Sequence, residues 1–266
     1  MPKISHYIIT RFNLRAELNS PRAISEEWLN HRFDLFEKFC LPTVKSQTVL
    51  NFDWLLLFDS ETPRSIRLRL ERACEFDRIK PIFLPPGTPD VGRKAVMASM
   101  GECPEILITT RLDNDDGLAK TYVETVQSHC QVAVPTVFDF TNGYVWQDGR
   151  VYRDRQPRSA FATLVEPLRG DVNTPYSTIY RGSHRESHNL GRLIEISKEP
   201  SWLQVVHGGN LENRARGVRI PLSELVGRFG LDGDLFSRKE NAIAFTLDVL
   251  RTQIVEATRR LWHLMH

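Results

Sequence analysis

Three carboxylates stand within four residues at Asp113, Asp115 and Asp116, with Asn114 among them and Gly117 directly after. The preceding segment, Glu105-Ile106-Leu107-Ile108-Thr109-Thr110-Arg111-Leu112, is short, apolar and rich in β-branched residues, the pattern of a buried strand. Like charges crowded at a strand's end repel one another unless something positive lies among them. A hard divalent cation, Mg²⁺ or Mn²⁺, takes oxygen ligands and itself clamps phosphates, so the leading chemistry for this stretch is a metal–diphosphate site. Two plainer readings compete. Acids before Leu118 also suit the start of a helix. An EF-hand loop counted from Asp113 would use Asp115 and Glu124, but it puts Leu118 where glycine is required, and the segment before it is strand-like.

Other residues extend the idea. Asn51-Phe52-Asp53-Trp54-Leu55-Leu56-Leu57-Phe58 is a second apolar strand, and it too ends in an acid, Asp59. His207 precedes Gly208-Gly209, which leaves room for close approach of a phosphate or metal. Arg11 and Arg111 flank the predicted site, and arginine suits phosphate; either also serves to neutralise nearby acids. A hydroxyl acceptor needs a base. Candidates are Glu186 and His188 in the polar group Ser183 to His188, and Glu166, next to an apolar run that would raise its pKa. For each of these the surface-loop or salt-bridge reading stays open.

The elements that must position these groups alternate. Ile4 to Thr10 is a first strand. Ser25 caps a helix whose Leu29, Phe33, Phe36 and Cys40 recur at helical spacing. Pro63 opens a helix through about Ala73, Ile79 to Leu84 is a third strand, and a helix spans about Arg93 to Met100. Leu118 to Cys130 is the next expected helix. Strand–helix alternation predicts an α/β layer with a mainly parallel sheet, whose ligands bind beyond the carboxyl ends of the strands, where Asp59 and Asp113 to Asp116 fall. After Gln131 the pattern changes. Val132 to Val134, Val137 to Phe140, Tyr144 to Trp146 and Val151-Tyr152 are short strand-like runs, and Asn142-Gly143 and Asp148-Gly149 are hairpin signals, so an antiparallel region is expected. Residues 153–217 look loop-rich. At the end, Ser237 and Glu240 form a capping box before a helix striped by Ile243, Leu247, Leu250, Ile254 and Leu261.

With 266 residues and a net charge of only +2, the chain is not a nucleic-acid binder by bulk electrostatics. No apolar run reaches membrane-spanning length, and the N-terminus lacks the apolar core of a secretory signal. Cys40, Cys74, Cys103 and Cys130 are scattered without a CxxC pair, as in a reduced cytoplasmic protein without structural zinc. Arg251, Arg259 and Arg260 beside the last helix's stripe leave a peripheral membrane contact open.

Ser46-Gln47-Thr48 followed by Asn51 to Asp59 resembles the second-strand signature of family 2-type glycosyltransferases of the GT-A fold. Leu112-Asp113-Asn114-Asp115-Asp116 is similar to their DxD-type motif. Thr10-Arg11-Phe12-Asn13, Thr109-Thr110-Arg111 and Val206-His207-Gly208-Gly209-Asn210 extend the resemblance to the bacterial rhamnosyl transferase group. The resemblance implies a GT-A-like, Rossmann-related, mainly parallel sheet flanked by helices. It places a catalytic domain at 1–217, with a nucleotide-sugar half at 1–131 and an acceptor half at 132–217, and a helical extension at 218–266. It implies transfer of a sugar, rhamnose by the finer match, from a nucleoside-diphosphate donor to a saccharide or other hydroxyl acceptor, with inversion. Thr10, Arg11, Asn13, Asp59, Arg111 and Asp113 would then contact the donor, and Asp113, Asp115 and His207 the divalent cation. Ser60-Glu61-Thr62 departs from the family's glycine-containing turn after Asp59. Absence of a Gln-x-x-Arg-Trp motif argues against a processive synthase. A nucleotidyltransferase is the nearest rival, but Thr10 to Leu18 has no glycine for a phosphate loop; a non-catalytic carbohydrate- or partner-binding protein on the same fold is the other.

Overall fold

The structure, a computed structural model, describes residues 2–15, 21–171, 173–182, 184–208, 215–236 and 241–265. The first half alternates as expected: β1 (Ile4–Arg11), α1 (Glu26–Leu35), α2 (Leu41–Lys45), β2 (Asp53–Asp59), α3 (Arg64–Ala73), β3 (Ile79–Leu84), α4 (Val91–Ser99), β4 (Ile106–Arg111), β5 (Gly117–Leu118) and α5 (Tyr122–Ser128). There follow β6 (Thr136–Phe140), β7 (Asn142–Gln147), β8 (Arg150–Arg155), β9 (Ala162–Pro167), β10 (Arg192–Ile196), β11 (Trp202–Val206), β12 (Val218–Ile220), α6 (Leu222–Phe229) and α7 (Ala242–Met265).

Among the described residues these strands form two sheets. The larger has the order β10-β6-β9-β4-β1-β2-β3, and only β9 runs against its neighbours. This is the mixed, mainly parallel sheet flanked by helices that the strand–helix alternation implies. β2 shows why it forms. Trp54, Leu56 and Phe58 enter the core on one face while Leu55 and Leu57 enter the core on the other, so an uninterrupted apolar run suits a strand covered on both sides. The smaller sheet has the order β12-β8-β7-β11-β5.

Helix α1 starts where its cap predicts, with Ser25 Oγ accepting the Trp28 N–H at 3.4 Å. Leu29, Phe33, Phe36 and Cys40 are all fully buried. A wider π-helical turn, Phe36–Cys40, joins α1 to α2.

Three local expectations fail. Leu118 is not helical: it lies in β5, paired with Trp202, and the helix begins only at Tyr122. Val132 to Val134 is not a strand, the extended segment starting at Thr136. Asn142-Gly143 is not a hairpin turn. It opens β7, which leaves the larger sheet to join the smaller one. Glycine is needed there because an added Cβ would lie 2.0 Å from Trp202 Cδ2. The Asp148-Gly149 signal does hold, since both residues take positive φ (50° and 79°) and join β7 to antiparallel β8. Around it the pairing is mixed, because β6–β10 and β7–β11 are parallel. Residues 153–217 carry β9, β10 and β11 and a short 3-10 helix, His184–Leu190. Ser237 and Glu240 lie outside the described residues.

Candidate active site

The acids occupy the crossing between the two sheets. β4 ends at Arg111 in the larger sheet, and six residues later β5 pairs with β11 in the smaller one. Several bonds fix this crossing. Leu112 N–H donates to Ile9 O (3.1 Å), Asn114 Nδ2 to Phe12 O (3.0 Å) and Asp116 N–H to Asp113 O (3.2 Å). Asp116 Oδ1 accepts the Val205 N–H at 2.9 Å. Because β11 runs antiparallel to β5, the residues after it return alongside the acids, and His207 arrives beside Asp115.

Asp115 is the centre of the cluster. Its Oδ2 lies 2.6 Å from Arg32 Nη1 and 2.9 Å from His207 Nε2, and those two nitrogens are 3.1 Å apart. His207 Nε2 can donate a hydrogen bond to the carboxylate or accept one from the guanidinium, but not both. The His31 ring packs edge-on at 5.4 Å from that of His207. Burial pulls the Asp115 carboxyl upward, but the His207 contact and the Arg32 charge outweigh it and hold it below the usual range. Burial, followed by the charges of Asp115 and Asp113, pushes the Asp116 carboxyl well above that range. The repulsion expected from the sequence is thus met by the Arg32 charge at Asp115, and it remains visible in the raised Asp116 carboxyl. Asp113 is more open, its side chain 39% exposed, with Arg111 Nη2 3.5 Å from Oδ1.

Asp59, at the end of β2, is fully buried in a second cluster. Arg15 reaches it with both arms, Nε to Oδ2 at 2.8 Å and Nη2 to Oδ1 at 3.1 Å, and Nη2 also meets Glu61 Oε2 at 2.6 Å. Burial raises the Asp59 carboxyl, and the Arg15 hydrogen bonds, the Glu61 N–H and the Arg15 charge more than reverse it. Asn13 braces the turn, its Oδ1 accepting the Asp59 N–H (3.1 Å) and its Nδ2 donating to Ala23 O and Thr62 Oγ1 (both 3.1 Å).

Between the clusters lie two arginines on one ring. The guanidinium carbons of Arg11 and Arg111 sit 4.8 and 5.0 Å from the centroid of Tyr180, whose hydroxyl donates to Ile9 O at 3.1 Å. Arg111 is buried, and its Nε has no hydrogen-bond partner among the described residues. Burial pushes the Tyr180 phenol up to about 12.

The structure therefore gathers Arg11, Asp59, Arg111, Asp113, Asp115 and His207 toward the carboxyl-terminal edge of the parallel strands. Thr10 is on β1 but faces the core, its Oγ1 accepting the Trp54 indole N–H at 2.9 Å. Glu166 lies elsewhere. It is level with Leu107, near the start of β4, where Oε1 accepts the Ser177 N–H at 2.8 Å. Burial raises its carboxyl, as its neighbours in sequence suggest. Glu186, exposed, and His188, half-buried, are on the short helix His184–Leu190 that begins four residues after Tyr180.

Arg15, Arg32 and Tyr180 were not singled out from the sequence. Arg32 looks like the solvated side of α1, and nothing in its spacing marks it; Arg15, four residues beyond Arg11 at the end of β1, carried only a faint signal. Among the described residues no three His, Cys, Asp or Glu side chains converge to hold a metal.

In a mainly parallel α/β sheet ligands bind beyond the carboxyl ends of the strands, which is where these acids and arginines lie. Residues 13–219 match the model of the family described as "Putative rhamnosyl transferase", and the chain belongs to this glycosyltransferase family. No curated protein matches the chain. Among solved structures, S. aureus TarS 1–349 in complex with UDP-GlcNAc is similar at 13% identity and a TM-score of 0.46, over 81% of this chain and 62% of that one. The mannosyltransferase PcManGT from Pyrobaculum calidifontis, in complex with GDP-Man and Mn²⁺, is similar at 9% identity and a TM-score of 0.43, over 79% and 58%. This chain spans about three fifths of the length of either structure.

Proposed function

We propose that the chain transfers a sugar from a nucleoside-diphosphate donor to a hydroxyl acceptor, with inversion, and that rhamnose is the sugar to try first. The observation that carries this reading is the pairing of Asp115 with His207 at the carboxyl edge of the sheet that also carries Arg11 and Arg111, in a chain of this family. Asp59 would face the nucleoside, although Arg15 already takes both its oxygens, so the base or ribose would meet the Arg15–Asp59 unit together. Arg11 and Arg111 would take diphosphate oxygens, and the unpartnered Arg111 Nε supports that role.

The carboxylate of Asp115 and the imidazole of His207 are donors that Mn²⁺ or Mg²⁺ accepts, and Asp113 is open enough to join them. Their fork now takes one positive charge, from Arg32, which supports reading it as a position for a cation. A bound divalent ion would supply Lewis-acid stabilisation of the departing diphosphate. Arg32 would have to turn aside for it. Glu186 and His188 are the base candidates to test first; Glu166 lies near the opposite end of β4.

The test is a thermal-shift screen of nucleotide sugars with and without Mn²⁺, followed by assay of diphosphate release. A donor that raises the melting temperature, together with loss of turnover in Asp115→Asn at unchanged circular dichroism, is the expected result. Undiminished turnover in that variant would defeat the reading.

A further inference from the structure

Helix α7 has two faces of different character. Phe245, Asp248, Val249, Thr252 and Glu256 are its half-buried positions, and at about 3.6 residues per turn they form one stripe. That stripe is tied to β12 and β8: Thr252 Oγ1 accepts the Arg219 N–H at 3.0 Å, and Asp248 Oδ2 lies 3.5 Å from Arg219 Nε and 3.8 Å from Arg150 Nη1. On the opposite side Ile243, Leu247, Leu250 and Ile254 are 72%, 62%, 51% and 67% exposed, with Val255 (59%) at the edge of this stripe. An apolar stripe was legible in the sequence; its outward direction was not.

The spacing of that outer stripe identifies its occupant. Steps of four, three and four residues are the a/d spacing of a heptad, and the sequence continues it at Ala257 and Leu261. A seam with this spacing fits another helix, whereas a helix lying on lipid sets its apolar face opposite a strongly basic one. Here the basic face is missing. Asp248 and Glu256 nearly balance Arg251, Arg259 and Arg260, and the side opposite the seam is taken up by the body of the protein. In a parallel pair the flanking positions bring Thr246 against Arg251 and Gln253 against Thr258, so no like charges meet.

We propose that α7 is a self-association element, through which two copies of this chain pair in parallel along Ile243, Leu247, Leu250 and Ile254. The helix is about 36 Å long and helices pack about 10 Å apart. The strip is smaller than the roughly 800 Å² per partner of a standard interface. A weak dimer follows, with a dissociation constant on the order of micromolar.

Sedimentation equilibrium of the full chain over a range of concentrations tests this. The expected mass rises from 30.7 kDa toward twice that value. Leu250→Glu and Ile254→Glu, both at exposed positions, should remain monomeric while melting like the parent. Leu250→Cys should cross-link to its counterpart under mild oxidation. A parent that stays at 30.7 kDa at the highest concentration, or glutamate variants that still associate, would overturn the proposal. So would a monomeric parent that pellets with phosphatidylcholine–phosphatidylserine vesicles, which would assign the stripe to lipid.

Discussion

Arg32 Nη1 stands 2.6 Å from Asp115 Oδ2, so a guanidinium from the first helix occupies the charge position at the end of the fourth strand. The Asp115 side chain is only 7% exposed, and removing one member of a buried pair leaves the other charged and unsolvated. Arg32→Met should therefore cost about 2–3 kcal/mol of stability, less than a fully buried pair would because Arg32 is a fifth exposed. Mn²⁺ should restore much of that loss by taking the vacated charge position. Differential scanning fluorimetry with and without Mn²⁺ measures both effects, and a variant that melts like the parent and ignores Mn²⁺ would show that the ion binds elsewhere.

The Arg15–Asp59 pair is more deeply buried, with side chains 5% and 0% exposed. Arg15→Met should lower stability, because it leaves the buried Asp59 carboxylate without its two-armed partner. Arg15→Lys, which keeps the charge but loses the two-armed geometry, should recover only part of it. Urea denaturation of the three proteins measures the difference; equal recovery by lysine would mean that charge alone matters here.

His6 is buried beside Phe52, with Nε2 2.9 Å from Thr110 Oγ1, and burial lowers its pKa to about 3. Below the ordinary value near 6.5 the unfolded chain takes up a proton that the folded chain refuses. This contribution to stability is complete above that value and is lost as pH falls toward 3, by at most about 1.4 kcal/mol per pH unit. His6→Phe removes the titration and keeps an aromatic ring, so its stability should fall less steeply between pH 6.5 and 4. Parallel slopes for the two proteins would assign the acid sensitivity to other groups.

Gly143 and Trp202 fix the register between β7 and β11, the strand that carries His207 to the acids. Trp202 cannot give way, since it stacks on Phe161 at a centroid distance of 4.9 Å and its indole N–H donates to Phe140 O at 2.7 Å. Gly143→Ala should destabilise by about 3 kcal/mol, the upper end for an overpacked core. The denaturation midpoint measures it, and an unchanged value would mean that the two strands can separate without penalty.

Much of the fold was legible locally. The β2 run from Trp54 to Phe58, the Ser25 cap and the buried spacing of Leu29, Phe33, Phe36 and Cys40 each express a rule that spans a few residues. The same holds for the acids after β4, because their position at a strand end is written in the chain itself. Asn142-Gly143 misled because the dipeptide signals a turn only when nothing large lies above the glycine, and Trp202 is 59 residues away in sequence.

The sequence by itself determined the alternating α/β layer, the family, and the residues Asp59, Asp113 and Asp115 at the carboxyl ends of strands. Tertiary structure alone decided which charges meet. It brought Arg32 and His207 onto one oxygen of Asp115, gave Asp59 to Arg15, set Glu166 near the opposite end of β4, and turned the apolar stripe of α7 outward. Hydrophobic periodicity is a local property of the chain, whereas an ion pair depends on how separate elements pack, and no spacing within either element records that.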